Sequence, residues 1–89
     1  MYYLYILECA DKTLYTGITT DLKRRILEHN SSNLGAKYTG SRRPVKVVYT
    51  KKFKNRSMAS REEARIKGFK REEKLNLIKK RIAYAKIIS

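Results

Sequence analysis

Residues 2–18 read YYLYILECADKTLYTGI, and the fold turns on how this stretch doubles back. The run 2–9 is dominated by aromatic and aliphatic residues, which favour an extended strand. Alternation places Tyr3, Tyr5 and Leu7 on one face and Tyr2, Leu4 and Ile6 on the other. Both faces are mostly apolar, as a central strand covered on both sides requires. Asp11 and Lys12 supply a turn, and residues 14–18 return as a second strand. Two turns fit. A two-residue Asp11-Lys12 turn pairs Ala10 with Thr13 and sends Tyr5 and Tyr15 to opposite faces. A three-residue loop over 10–12 pairs Leu7 with Tyr15 and makes the two tyrosines diagonal neighbours about 7–8 Å apart. No glycine marks the turn type, so the residues alone leave both open.

Beyond the hairpin, Thr19, Thr20 and Asp21 offer capping oxygens to a helix that runs to about Asn30. Residues 31–43 (SSNLGAKYTGSRR) form a polar, glycine-containing loop closed by Pro44. Residues 45–50 follow as a third strand, with Val45, Val47 and Tyr49 expected on one face. Asn55 to Ser57 cap a second helix reaching Lys67, and Gly68 is a natural stop. A third amphipathic helix spans 71–80, with Leu75, Ile78 and Ile82 along one side. The tail, 81–89, either continues that helix or frays. The expected architecture is α+β, in the order β-β-α-β-α-α, with three strands and helices packed on the sheet. We expect one domain over residues 1–80.

The charge narrows the function. Twenty-two Lys and Arg against eight Asp and Glu leave a formal charge of +14 on 89 residues. Such a field draws in polyanions, and nucleic acid is the first candidate because each neutralised phosphate releases a counterion. A basic surface with no ligand is the ordinary alternative, and a membrane surface the third. The longest apolar run, residues 2–7, is far too short to span a bilayer. No basic leader precedes an apolar stretch, so a soluble, cytoplasmic protein is expected. Cys9 stands alone, excluding an internal disulfide and a cysteine-built zinc site; it reads as strand packing.

The first helix carries the chemistry most visibly. At about 100° per residue, Leu22 and Ile26 mark the buried stripe, with Arg25 and His29 beside it and Arg24 facing solvent. Arginine offers a phosphate a planar donor fork, and histidine moves protons near neutral pH. A snorkelling arginine and a half-buried histidine would look the same. In the second helix, Met58, Ala59, Ile66 and Phe69 define the expected inner stripe. Glu62 projects near its centre and Glu63 at its edge, and a carboxylate there requires a partner or a metal. Surface ion pairing is the ordinary reading of such adjacent glutamates. The few acids form no dense cluster, so any phosphodiester chemistry would rest on one Mg²⁺ or Mn²⁺ rather than two converging ions. Seven tyrosines have a plain explanation too, since tyrosine is a good strand former with a wet end.

These segments in order resemble the GIY-YIG nucleases. The likeness is carried by Leu4-Tyr5-Ile6, Tyr15-Thr16-Gly17, Asp21-Leu22-Lys23-Arg24-Arg25 and Glu28-His29-Asn30. It continues through Gly35-Ala36-Lys37-Tyr38-Thr39, Arg42-Arg43-Pro44 and Ala59, Glu63, Ile66 and Lys67. It covers residue 2 to about 80 and is similar to the branch of small single-domain bacterial members and junction nucleases. The resemblance implies a three-stranded antiparallel sheet flanked by helices, with both motif tyrosines on one face, and so favours the wider loop. It also implies roles for Tyr5 and Tyr15 as the motif tyrosines, Arg25 as the phosphate clamp, His29 as the proton handler and Glu63 as the metal ligand, with Glu62 as the fallback. The chain departs from the pattern with Leu4 in place of the first motif's glycine, Tyr-Thr-Gly as the second motif and Ser60 where leucine is common.

The implied activity is hydrolysis of DNA phosphodiesters by a metal-dependent, structure-selective endonuclease, in repair or recombination. Glu63 would hold Mg²⁺ or Mn²⁺. A cationic field and a hydrogen bond to His29 would make a motif tyrosine more acidic. Lys23, Arg24, Lys37, Arg42 and Arg43 would track the phosphate backbone without reading sequence. Two other classes fit the same residues: a catalytically inactive nucleic-acid-binding module, and a subunit whose tail recruits a larger nuclease.

Overall fold

The structure, a computed structural model, describes residues 1–31 and 42–88, with Ser31 and residues 81–88 as backbone only. The chain folds as β1 (Tyr2–Glu8), β2 (Leu14–Thr19), α1 (Leu22–Ser31), β3 (Lys46–Phe53), α2 (Arg56–Lys67) and α3 (Arg71–Ile88). The three strands are antiparallel in the order β2-β1-β3, which makes β1 central. The expected α+β order is therefore the observed one, and α3 extends its helical backbone through most of the tail. The 31–43 loop with its Lys37 and the 35–39 motif lies largely outside the described residues, which resume at Arg42.

The hairpin takes the wider loop. Leu7 pairs with Tyr15 and Tyr5 with Gly17. Lys12 donates its N–H to Cys9 O at 2.9 Å, and Cys9 N–H reaches Thr13 O at 2.9 Å. Lys12 adopts φ 71°, the left-handed conformation that glycine usually fills in such loops. Asp11 braces it: its Oδ1 accepts from the Thr13 N–H at 3.1 Å and the Thr13 hydroxyl at 2.6 Å. A side-chain brace thus replaces the glycine whose absence made the turn ambiguous.

Each face of β1 builds its own core. Leu4, Ile6, Tyr49, Ile66 and Ile78 cluster on one side, joined by Phe69 from the link between α2 and α3 and by Leu77 of α3. Tyr5, Leu7, Cys9 and Val45 cluster on the other, covered by Leu22 and Ile26 of α1. Cys9 is buried, as strand packing implied. Two side-chain placements differ from expectation. Tyr49 does not share a face with Val45 and Val47, because the β1–β3 register shifts between Ile6 and Leu7. The extra residue reverses the alternation there. Met58 is 47% exposed rather than inward. The buried line of α2 runs through Ala59 and Ile66, and one residue back along a helix turns about 100° away from it.

Capping follows the sequence. Thr19 Oγ1 accepts from Asp21 N–H at 3.1 Å, and Asp21 Oδ1 accepts from Arg24 N–H at 3.1 Å. Asn55 Oδ1 accepts from Met58 N–H at 3.0 Å. Gly68 ends α2 with φ −79°, in the right-handed region, so its freedom to adopt positive φ is not used. No helix among the described residues is long and apolar enough to cross a membrane.

The far end of α1 is latched to β3 by a single side chain. Asn30 Oδ1 accepts from Val45 N–H at 2.7 Å and its Nδ2 donates to Val45 O at 3.1 Å. The amide thereby stands in for a backbone partner at the entrance to β3. Asn30→Ala removes both bonds, at about 1 kcal/mol each. Urea unfolding should show a loss of about 2 kcal/mol with an unchanged m-value.

Candidate active site

The site sits on the α1 face of the sheet, and its centre is Tyr5. The hairpin register puts Tyr5 and Tyr15 on that face with ring centroids 6.4 Å apart. His29, fully buried, closes the group from the last turn of α1, its ring 5.2 Å from Tyr15 and edge-on to it. The Tyr5 hydroxyl and His29 Nε2 are hydrogen-bonded at 3.1 Å.

Gly17 makes that geometry possible. It lies directly across from Tyr5 on β2, and the phenol ring lies over it. A Cβ at position 17 would stand 2.6 Å from the Tyr5 hydroxyl and 2.8 Å from Cζ. Real side chains do not approach so closely, so the motif glycine serves as the floor on which the tyrosine rests.

Arg25 and Glu63 complete the surroundings. Arg25 Nη1 donates to Glu28 Oε1 at 3.0 Å. Its guanidinium also lies near enough to Tyr5 to act on the phenol's ionisation. Arg24 is more exposed than Arg25, at 65% against 27%, as the helical phase predicted. The two glutamates of α2 have different surroundings. Glu62 is bound by Arg65 and by Lys51 at 3.6 Å, and these cations hold its carboxyl below the usual range. Glu63 meets the exposed Lys67 at 3.4 Å, and its charge acts on Tyr5 through space.

Burial drives the Tyr5 pKa upward, more strongly than the Arg25 guanidinium draws it down. This reverses the expectation that cations and His29 would make this phenol more acidic. Desolvation penalises the phenolate, and the nearby Tyr15 and Glu63 disfavour it further. Burial likewise lowers the His29 pKa, with the Arg25 charge next in importance. Tyr5 is thus a phenol and His29 a neutral imidazole at pH 7, and the tautomer of the ring sets which of the two donates. For Arg25, the neighbouring Glu28 and Tyr5 outweigh desolvation and hold the guanidinium firmly charged.

The five residues expected at the site come from β1, β2, α1 and α2, and Tyr5 touches or senses each of the other four. The basic residues divide differently. Lys23 and Arg24 are exposed at the start of α1. Arg42 pairs with Asp11 at 3.0 Å, and Arg43 Nε donates to the His29 carbonyl at 2.7 Å. Both arginines therefore have partners within the molecule, one bracing the hairpin and the other the last turn of α1. Glu28, Asn30 and Gly17 escaped the sequence reading as site-building residues. The spacing of Glu28 three residues after Arg25 would have flagged the first, and the wider hairpin register the last.

As a candidate metal ligand, Glu63 has suitable chemistry. It is a hard oxygen donor, only 21% exposed, whose lysine partner is itself mostly exposed. Among the described residues no group of three or more His, Cys, Asp or Glu converges on a point. This donor set fits an ion such as Mg²⁺ that keeps most of its waters and takes one carboxylate.

Gly17→Ala should cost about 1–3 kcal/mol in urea unfolding, because the added methyl group overpacks the Tyr5 ring. Combining it with Tyr5→Leu should cost less than the sum of the single changes, since the clashing atoms are then gone. Simple additivity would mean that the glycine serves some other purpose.

Comparison with known proteins identifies the family. The model of the GIY-YIG catalytic domain matches residues 1–76. A UPF0213 protein of Syntrophus aciditrophicus is 56% identical over 77 residues, covering 86% of this chain and 88% of that one. An archaeal UPF0213 protein, from Natronomonas pharaonis, is 47% identical over 77 residues, covering 86% and 89% of the two chains. The solution NMR structure of a UPF0213 protein from Bacillus halodurans superposes with a TM-score of 0.58 at 45% identity, covering 89% of this chain and 84% of that one. The solution NMR structure of the protein EF2693 from E. faecalis gives a TM-score of 0.62 at 44% identity, covering 89% and 83%. Sequence, fold and the placement of the motif residues lead to one conclusion: the chain belongs to the GIY-YIG catalytic-domain family.

Proposed function

We propose that this chain is a divalent-metal-dependent endonuclease that hydrolyses DNA phosphodiester bonds and selects its substrate by shape. The observation that carries this reading is the Tyr5–His29 hydrogen bond beside the Arg25 guanidinium. It brings a phenol, a neutral imidazole and a guanidinium into one small patch, groups suited to accepting a proton, relaying it and binding a phosphate. The net charge of +14 supports a polyanionic substrate. The family supports cleavage over passive binding.

In this reading the scissile phosphate lies against Arg25, whose fixed charge stabilises the phosphorane-like transition state without reorganising. Glu28 holds that guanidinium in place. A water attacks phosphorus in line from the side of the two tyrosines. Its proton passes to the Tyr5 oxygen while the Tyr5 proton passes to His29 Nε2, and as the P–O3′ bond breaks the leaving 3′ oxygen takes a proton from water. His29 serves in the tautomer that carries its own proton on Nδ1. Because its pKa is depressed, the buried imidazolium gives the proton back to the Tyr5 oxygen as the Tyr5 hydroxyl releases its own to water once the product leaves. Tyr15, beside both partners, orients the attacking water. Glu63 is the residue that would hold a divalent ion, which when bound supplies further positive charge to the phosphate. Lys23 and Arg24 attract the flanking backbone without reading bases. A role in repair or recombination follows from shape-selective cutting.

The test is cleavage of labelled branched, nicked, duplex and single-stranded DNA with Mg²⁺ or Mn²⁺, beside EDTA controls. Metal-dependent products should appear on at least one substrate. Glu63→Ala should lose at least roughly a hundredfold in rate, more than removal of a supporting partner costs. Glu62→Ala should stay within about threefold of the parent, since that carboxylate sits in a surface ion pair. Salt-sensitive binding with no cutting of any substrate would replace this reading with that of a binding module. Normal cutting by Glu63→Ala would remove the glutamate from the site.

A further inference from the structure

The site does not end at Tyr5. An open cleft of about 570 Å³ adjoins it, lined by Tyr3, Thr20, Asp21, Leu22, Lys23 and Ile26. Tyr3 stands two residues before Tyr5 on β1, so both rings project from the same face of the sheet. Leu22 and Ile26 belong to the apolar cover of that face, and Leu22 lies one helical turn before Arg25. The cleft thus lies on the same face as the proposed phosphate position, two strand residues from Tyr5 and one helical turn from Arg25.

The lining suits one kind of occupant. An aromatic ring and two aliphatic side chains give a flat apolar surface, and its rim is cationic. The Lys52 ammonium lies over one face of the Tyr3 ring, 5.9 Å from its centroid, so an incoming base stacks on the other face or displaces it, and the exposed Lys23 lies on the α1 side. The acid present, Asp21, is engaged as the α1 cap through its Oδ1. Stacking surface framed by lysines is the chemistry that holds an unpaired nucleotide: the base lies on the ring and the phosphates meet the cations.

We propose that this cleft is a base-stacking subsite, in which Tyr3 takes an unpaired nucleobase next to the scissile phosphate. The inference rests on the nuclease reading for its orientation, but it concerns binding and is measured without cutting. A subsite for an unstacked base selects DNA in which a base is already free, such as a junction, flap or single strand, over continuous duplex. It gives shape selectivity a physical origin in a chain that has little surface for sequence readout.

The experiment uses short single-stranded oligonucleotides carrying 2-aminopurine, whose fluorescence is quenched by stacking, with binding measured in EDTA. Quenching should occur with the parent protein, persist in Tyr3→Phe and disappear in Tyr3→Leu. Tyr3→Leu should also bind about five- to a hundredfold more weakly, the range found for loss of one base–aromatic stack. Replacing the stacked base by an abasic residue should weaken the parent by a similar factor and leave Tyr3→Leu unaffected. Quenching that survives in Tyr3→Leu would overturn the proposal, as would equal losses on intact and abasic strands. Should Tyr3→Leu fail to fold, the parent on intact and abasic strands decides alone: equal affinity for both overturns it. Absence of cutting in the preceding experiment would refute the nuclease without touching this result.

Discussion

The arrangement on the α1 face depends on one constraint: a tyrosine hydroxyl must be buried and still meet a histidine of the helix that covers it. Tyr5 satisfies it because three separate features agree. The hairpin loop sets the register that brings Gly17 opposite Tyr5, and the glycine leaves room for the ring. The latch from Asn30 to Val45 and the Arg43 bond to the His29 carbonyl fix the end of α1. Change the loop by one residue and Tyr15 leaves the face. Release the helix end and His29 leaves the hydrogen bond. A small domain with a modest core can hold a precise site in this way because local devices, rather than bulk burial, supply the precision.

The electrostatics follow from the same burial. Desolvation favours the neutral forms of both Tyr5 and His29, moving their pKa values in opposite directions. The result is a neutral donor–acceptor pair with a firmly charged arginine alongside. Such a pair resists ionisation at rest and accepts a proton when one is released next to it. It also makes His29, rather than the phenol, the group that takes up charge. Around this neutral centre the surface is strongly basic, and some of those cations are also engaged within the fold. Arg42 and Arg43 hold structure, and Lys51 and Arg65 serve Glu62.

The strands, helices and their order were legible in the sequence, because alternation in residues 2–9 and capping residues at Asp21 and Asn55 are local signals. The placement of Arg25 and His29 was legible for a similar reason, since a helix fixes side-chain direction by spacing alone. Pairing between strands was less accessible. Lys12 occupies the left-handed position without being glycine, and only the Asp11–Thr13 hydrogen bonds reveal how it is supported there. The shift between Ile6 and Leu7 that turned Tyr49 to the other core leaves no mark in the sequence. The direction of the Tyr5 pKa was misread because the cations around it are visible in composition, whereas its depth of burial is a property of the assembled face. Helical phase placed Glu62 at the centre of the buried stripe and Glu63 at its edge. What distinguishes them is the partners that other elements bring: Lys51 of β3 to Glu62, and Tyr5 to Glu63.

His29 is the only histidine in the chain, so its protonation can be followed without assignment ambiguity. The most direct measurement of the account is a ¹⁵N NMR titration of the imidazole in the parent and in Tyr5→Phe. The ring should be neutral at pH 7 with its proton on Nδ1 and titrate below the ordinary value of about 6.5, and the Nε2 shift should change when the Tyr5 hydroxyl is removed. Because the folded state favours the neutral ring, stability should also fall as the pH drops below about 6.5. An imidazole titrating at the ordinary value, with Nε2 insensitive to Tyr5→Phe, would contradict the account at its centre.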